Sequence, residues 1–309
     1  MKQQSSRWAS VIPALFSFFG ILALILDAKT AVSSAAEGLQ LCLQTVVPSL
    51  FPFLVAARLF LRSGAAQWCT RAVGPIMEPI FGLPPQGASA LVLGMLSGYP
   101  VGAQTAASLY ASGQLTKEET ERLLGFCSNA GPAFIFGMVG GLFGSGKIAA
   151  VLFGVHIVSA LLTGLVLRPK GPAVTTPRRK AALESSTGLD LPSAMTGAIK
   201  TMGLICGYII LFQVIAAFLE QALGTWLAPA VKIGMAGLLE LSGGCSLLPQ
   251  LEAAGLRYCM ASGFLAFGGL CVWLQTKSVL APYGLTGRCY LPGKILQGTI
   301  AVLLTWGIQ

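Results

Sequence analysis

The chain has 309 residues, 54% of them hydrophobic and 10% charged, with mean hydropathy +0.75 and a formal net charge of +9. Soluble domains carry about 25% charged residues, so a mostly wet surface is excluded, and the fold class expected is an all-α, polytopic helical membrane protein. The basic residues stand at the ends of apolar runs rather than along one soluble face, so the charge argues for membrane topology and against nucleic-acid binding.

Lys2 and Arg7 precede an apolar run from Trp8 to Leu26. A signal peptide cleaved in the small-residue stretch Ala31 to Ala36 is one reading; an uncleaved first helix fits the length of the run better. A second span is expected over Leu39 to Leu61, kinked by Pro48 and Pro52, because proline removes backbone bonds inside a helix. An amphipathic stretch from Trp68 to Phe81, with Glu78 at the interface, leads to Pro84-Pro85. From Gln86 to Tyr110 the apolar pattern is interrupted by Ser97-Gly98-Tyr99-Pro100-Val101-Gly102, and neither arm is long enough to cross alone. This predicts a re-entrant hairpin or two half-helices. A charged turn, Lys117 to Arg122, separates it from a span over Phe126 to Phe143 that opens on Ser128-Asn129-Ala130-Gly131-Pro132. A span over Lys147 to Leu167 follows. The polar segment Arg168 to Ser193, with Arg178-Arg179-Lys180, reads as a basic linker. Beyond it come a span over Ala198 to Leu219, a broken segment over Trp226 to Leu248, and spans near Leu256 to Gln275 and Pro292 to Ile308.

The two sides of the linker resemble each other. Leu96-Ser97-Gly98 matches Leu241-Ser242-Gly243, and Phe136-Gly137 matches Phe267-Gly268, in the same order. With the N-terminus inside and both broken segments re-entrant, seven full crossings leave only Lys29, Lys147, Lys232 and Arg257 outside among the basic residues. The halves are then inverted repeats with paired broken helices, the pointer to a secondary-transporter fold. The domain organisation expected is an N-terminal helix over 1–37, a first repeat over 38–167, a cytoplasmic linker over 168–197 and a divergent repeat over 198–309.

The interruptions are the candidate chemistry. Backbone freed from helical pairing at membrane depth is tolerated where protein buries it or where water or a ligand reaches it. Ser97, Gly98, Tyr99, Pro100 and Gly102, with Ser128, Asn129, Gly131 and Pro132, therefore form either a polar pocket or a tightly packed crossing; Ser242 and Gly243 are their counterparts. Glu240, in an apolar setting just before Leu241, is a functional candidate by the cost of an intramembrane carboxylate. His156 reads more simply as a packed, hydrogen-bonded residue. The eight cysteines form no C-x-x-C pair, so neither a metal nor a cofactor is expected. Gly141 to Lys147 fits the start of a phosphate loop, but Ile148 stands where Ser or Thr should hold magnesium, and no strand precedes it. Catalytic activity is not expected.

Val47-Pro48-Ser49-Leu50-Phe51-Pro52-Phe53, Ser97 to Ala103, and Ser128 to Pro132 followed by Phe134-Ile135-Phe136-Gly137 occur in this order over Leu39 to Leu167. The series resembles that of the YlbJ-type sporulation integral membrane proteins, within the nucleoside-recognition (Gate) domain group. The resemblance implies a multi-pass protein of the bacterial cytoplasmic membrane with a role in spore cortex or core maturation. It implies a transporter-like protein that moves or senses a small polar solute such as a nucleoside; the competing reading is a non-transporting membrane scaffold. The partners that follow are the lipid bilayer, the solute, and a second copy or other sporulation membrane proteins, with no nucleic acid.

Overall fold

The computed structural model describes residues 17–60, 66–169 and 190–309. The start of the first span at Trp8 and most of the basic linker, including Arg178-Arg179-Lys180, lie outside the described residues. The described chain is helical, with no strand among its residues. In chain order the helices are α1 (Ser17–Leu26), α2 (Ala28–Leu41), α3 (Val47–Phe60), α4 (Ala66–Ala72), α5 (Gly74–Phe81), α6 (Gly87–Ser97), α7 (Val101–Ala111) and α8 (Lys117–Leu124). They continue as α9 (Gly140–Phe143), α10 (Gly146–Val166), α11 (Leu191–Leu223), α12 (Pro229–Leu239), α13 (Leu241–Leu247), α14 (Ala254–Phe267), α15 (Gly269–Leu280) and α16 (Tyr290–Gly307).

Among the described residues, four helical stretches are long and apolar enough to cross a membrane: Ala28–Ala56, Gly146–Val166, Leu191–Trp226 and Ala254–Tyr283. Large apolar side chains such as Ile25, Val158, Ile199 and Leu211 face outward, whereas Asn129, His156, Glu240, Lys294 and Gln297 are buried. That reverses the distribution of a soluble protein and suits hydrocarbon outside with a polar interior. The chain is a multi-pass membrane protein.

Local chemistry moves several expected boundaries. The second span starts at Ala28 rather than Leu39, because Asp27 caps it by accepting from the Thr30 N–H at 3.0 Å. A π-helical turn, Cys42–Val46, precedes Pro48, and the Ser49 hydroxyl donates to Thr45 O at 2.6 Å. The charged turn at Lys117 is instead α8, held by a reciprocal cap between Thr116 and Glu119. The span expected over Phe126 to Phe143 is helical only from Ala133, first as a π-helical turn (Ala133–Val139) and then as α9. At about 1.5 Å per residue its helical part is about half a bilayer long. The span near Leu256 to Gln275 is divided at Gly268 and Gly269, both with φ +83, a backbone state that a side chain disfavours. At the far end of the linker, Asp190 caps α11 and residues 191–197 are already helical. The phosphate-loop-like run is the turn from α9 to α10, where Ser145 caps α10.

The halves interlock. One core joins Tyr99, Ala130, Phe134 and Ile135 to Leu241, Cys245, Phe264 and Leu265. A second joins α2 and α3 to α11, and α14 packs along α16. The core between the halves contains the ends of the broken helices, and this is what positions the site.

Candidate functional site

The hairpin expected at residues 97–102 is present as α6 and α7, packed side by side and joined through Gly98, Tyr99 and Pro100. Gly98 has φ +79, and a Cβ there would lie 2.9 Å from Gly131 N. Gly131 is bound by the reciprocal limit, 3.0 Å from Gly98 N. The two interruptions of the first half therefore touch backbone to backbone, at a distance only glycine permits. Gly102 opens the first turn of α7, and Pro132 leads into the π-helical turn.

The two interruptions of the second half meet them. α12 ends and α13 begins at Glu240, which is 3% exposed. Its carboxylate accepts from the Ser242 N–H at 2.8 Å and from the Gly243 N–H at 2.5 Å, capping α13 from inside the protein. Gly269 lies against Leu239 O and the Glu240 backbone. The Tyr99 hydroxyl crosses to the end of α14, donating toward Leu265 O at 3.2 Å and Ala266 O at 3.4 Å. Four helix interruptions thus converge, and Gly98, Tyr99, Gly131, Glu240, Ser242 and Gln275 line a cavity of about 50 Å³ between them. Each water needs roughly 10–15 Å³ of such volume, so the cavity holds only a few.

The internal sequence matches fall at different places in their elements. Leu96-Ser97-Gly98 closes α6, whereas Leu241-Ser242-Gly243 opens α13. Phe136-Gly137 lies within a π-helical turn, whereas Phe267-Gly268 is a break.

Asn129 turns away from the cavity. Its amide nitrogen donates to Phe126 O at 2.9 Å, and its Oδ1 accepts from Gln297 Nε2 at 2.9 Å and from Lys294 Nζ at 3.4 Å. Lys294 Nζ also donates to Gln297 Oε1 at 2.7 Å and lies 5.2 Å from the centre of the Tyr99 ring. Asn129, Lys294 and Gln297 are each fully buried. An ammonium here is solvated by two amide oxygens and an aromatic face, a polar cluster in which each group depends on the others. Beside it, His156 Nε2 accepts from the Ala130 N–H at 3.1 Å, so the histidine holds the same segment that carries Asn129. The hydroxyls of Ser97 and Ser128 and the Nδ1 of His156 are buried with no partner among the described residues.

In the linear sequence Lys294 looks like a topology charge, because it stands near the start of an apolar run. The available signal was Lys294 and Gln297 three apart on one face of an apolar helix. A second missed device is Glu121, 1% exposed on α8. It accepts from the backbone N–H groups of Thr286, Gly287 and Arg288 at 2.9, 3.1 and 2.7 Å and from the Thr286 hydroxyl at 2.9 Å, setting the loop that leads into α16 and Lys294.

A larger cavity, about 540 Å³, lies among α2, α11, α12 and α13. Glu240 lines both cavities.

Comparison with known proteins agrees with this architecture. The family model described as Gate, nucleoside recognition, matches residues 43–222, which include both interruptions of the first half and stop short of Glu240 and Lys294. The chain is 27% identical over 341 aligned positions to the sporulation integral membrane protein YlbJ of Bacillus subtilis (strain 168), covering 97% of this chain and 84% of that protein.

Proposed function

The chain belongs to the nucleoside-recognition (Gate) family, and we propose that it is a transporter-like membrane protein that moves or senses a small polar solute during sporulation. The observation that carries the proposal is the convergence of four helix interruptions around Glu240, Tyr99 and the Asn129–Lys294–Gln297 cluster. Regular helices would satisfy this backbone at less cost; interrupting them inside an apolar protein is useful where a polar solute must be met. The site residues are Ser97, Gly98, Tyr99, Pro100, Gly102, Ser128, Asn129, Gly131, Pro132, Glu240, Ser242 and Gly243, joined by Lys294 and Gln297. None has a catalytic role on this reading. The protein sits in the bacterial cytoplasmic membrane with its N-terminus inside. Passage of the solute requires one half to tilt against the other, which parts the Tyr99 hydroxyl from the carbonyls at the end of α14.

The test is thermal unfolding of the detergent-purified protein against nucleosides, nucleobases, amino acids, divalent metals and dipicolinate. A ligand at 100 times its dissociation constant adds about 2.7 kcal/mol of stability if it binds only the folded state. The expected result is a stabilising ligand whose effect Asn129→Ala removes. The reading fails if both Asn129→Ala and Glu240→Gln fully complement a deletion strain. Loss of function on deleting residues 172–192 alone would then favour the scaffold.

A further inference from the structure

The two cavities are stacked along one face of α11. Ile205 and Ile209 line the inner one, of about 50 Å³. Gln213, Ala216, Ala217 and Glu220 line the outer one, of about 540 Å³. These positions recur every three or four residues, so they share one helix face over about 22 Å. The change of cavity falls between Ile209 and Gln213, one turn apart. α13 repeats the pattern, with Ser242 on the inner cavity and Ser246 on the outer, and Glu240 lines both. The outer cavity falls in the range of about 300–1,000 Å³ typical of small-molecule sites, whereas the inner one holds only a few waters.

Gln213, half-buried, stands at the junction. A Cβ on Gly38 of α2 would lie 3.2 Å from its Cγ, and one on Gly243 of α13 would lie 2.5 Å from its Nε2 and 3.2 Å from Glu240 Oε2. The side chain therefore reaches from α2 to α13, its stem against one glycine and its amide against the other, beside the Glu240 carboxylate. The Glu240 oxygens accept from the Ser242 and Gly243 N–H groups, and the Gln213 amide makes no hydrogen bond among the described residues. Contact alone holds it, and the outer cavity lies open beside it. A glutamine so held leaves its rotamer at little cost where there is room to receive it.

We propose that the two cavities are consecutive stations of one solute path and that Gln213 is the gate between them. With its side chain between Gly38 and Gly243 the path is shut. Swung into the outer cavity, it opens that chamber onto Glu240 and the converging helix interruptions. The inference rests on the reading of the protein as one that moves or senses a solute, and it supplies the route to the site.

The experiment introduces a thiol at the inner cavity by Val272→Cys in the full chain and measures its modification by 2-aminoethyl methanethiosulfonate in detergent. Intact mass counts the adduct beyond those of the chain with Val272 in place. Gln213→Ala should speed the modification at least about tenfold, because a minor open state is populated at about 0.1–10%. Gln213→Met, of similar length, should keep the slow rate. Equal rates in Gln213→Ala and its parent overturn the proposal, as does a Gln213→Met chain that reacts as fast as Gln213→Ala. Cys127, fully buried in a separate core, reports loosening of the whole fold. If its rate also rises in Gln213→Ala, Gln213→Ser takes that variant's place under the same two criteria. Labelling needs no solute, so it separates the two claims. Unchanged rates refute the gate and leave the solute reading standing, whereas full complementation by Asn129→Ala and Glu240→Gln refutes the solute reading whatever the rates.

Discussion

Replacing Gly94 by alanine tests the packing of the first hairpin against the interrupted segment that follows α8. Gly94 lies on α6, and a Cβ built there would fall inside the van der Waals envelope of Cys127 O, with Gly102 of α7 close on its other side. Every crowding atom is backbone, so no rotamer change relieves the clash; the hairpin must move away from residues 127–131, and with it Gly98 from Gly131. Overpacking of this kind costs typically 1–3 kcal/mol, and with rigid partners on both sides we expect about 3, offset by up to about 1 from alanine's better helix propensity. Gly203→Ala is the control. Gly203 is exposed on α11 with nothing within 4 Å of its Cβ position, so the same substitution adds stability, up to about 1 kcal/mol. The two variants should differ by roughly 3 kcal/mol with opposite signs relative to the wild type. Denaturant unfolding in one detergent, or the order of melting temperatures, measures this. Equal stability of the two variants would refute the close approach of α6, α7 and Cys127 on which the site geometry depends.

Asn129→Ala leaves the Lys294 ammonium and the Gln297 amide short of an acceptor, whereas Lys294→Met removes the charge and leaves the Gln297–Asn129 bond in place. Asn129→Ala should therefore be the less stable by about 1–3 kcal/mol, and paired melts of the two variants check the order. Tyr99→Phe keeps the ring beside Lys294 and gives up the hydroxyl's contacts with Leu265 O and Ala266 O, a loss of about 1 kcal/mol read by denaturant unfolding. Glu121→Gln weakens the cradle around Thr286, Gly287 and Arg288 by about 1.5–3 kcal/mol, since charge-assisted bonds are replaced by fewer neutral ones. Trypsin should then cut after the exposed Arg288 faster than in the wild type, and an unchanged cleavage rate would count against the cradle.

Much of this protein could be read from its sequence because the determinants were local. Apolar runs near bilayer length announced α10 and α11, and Gly98, Pro100, Gly131 and Pro132 marked interruptions where backbone geometry forbids a regular helix. Glu240 stood out since a carboxylate in an apolar run is conspicuous in one dimension. The break at Gly268 and Gly269 was harder to see, for glycine alone permits a left-handed turn without requiring one, and here the requirement comes from packing against Tyr99 and the Glu240 backbone. Lys294 shows the limit most clearly. A lysine near a helix start looks the same in sequence whether it faces water or amide oxygens. What places this one in the interior is α16 packing along α10 and α14, with Glu121 setting its approach and Asn129, 165 residues away, accepting a hydrogen bond from its Nζ. The sequence by itself determined that the protein is a helical membrane protein and that its apolar runs are interrupted near Gly98, Gly131 and Glu240, because hydropathy and backbone freedom belong to single residues. Only the tertiary structure decided which interruptions meet and which buried charges share a site, because those depend on contacts between segments far apart in the chain.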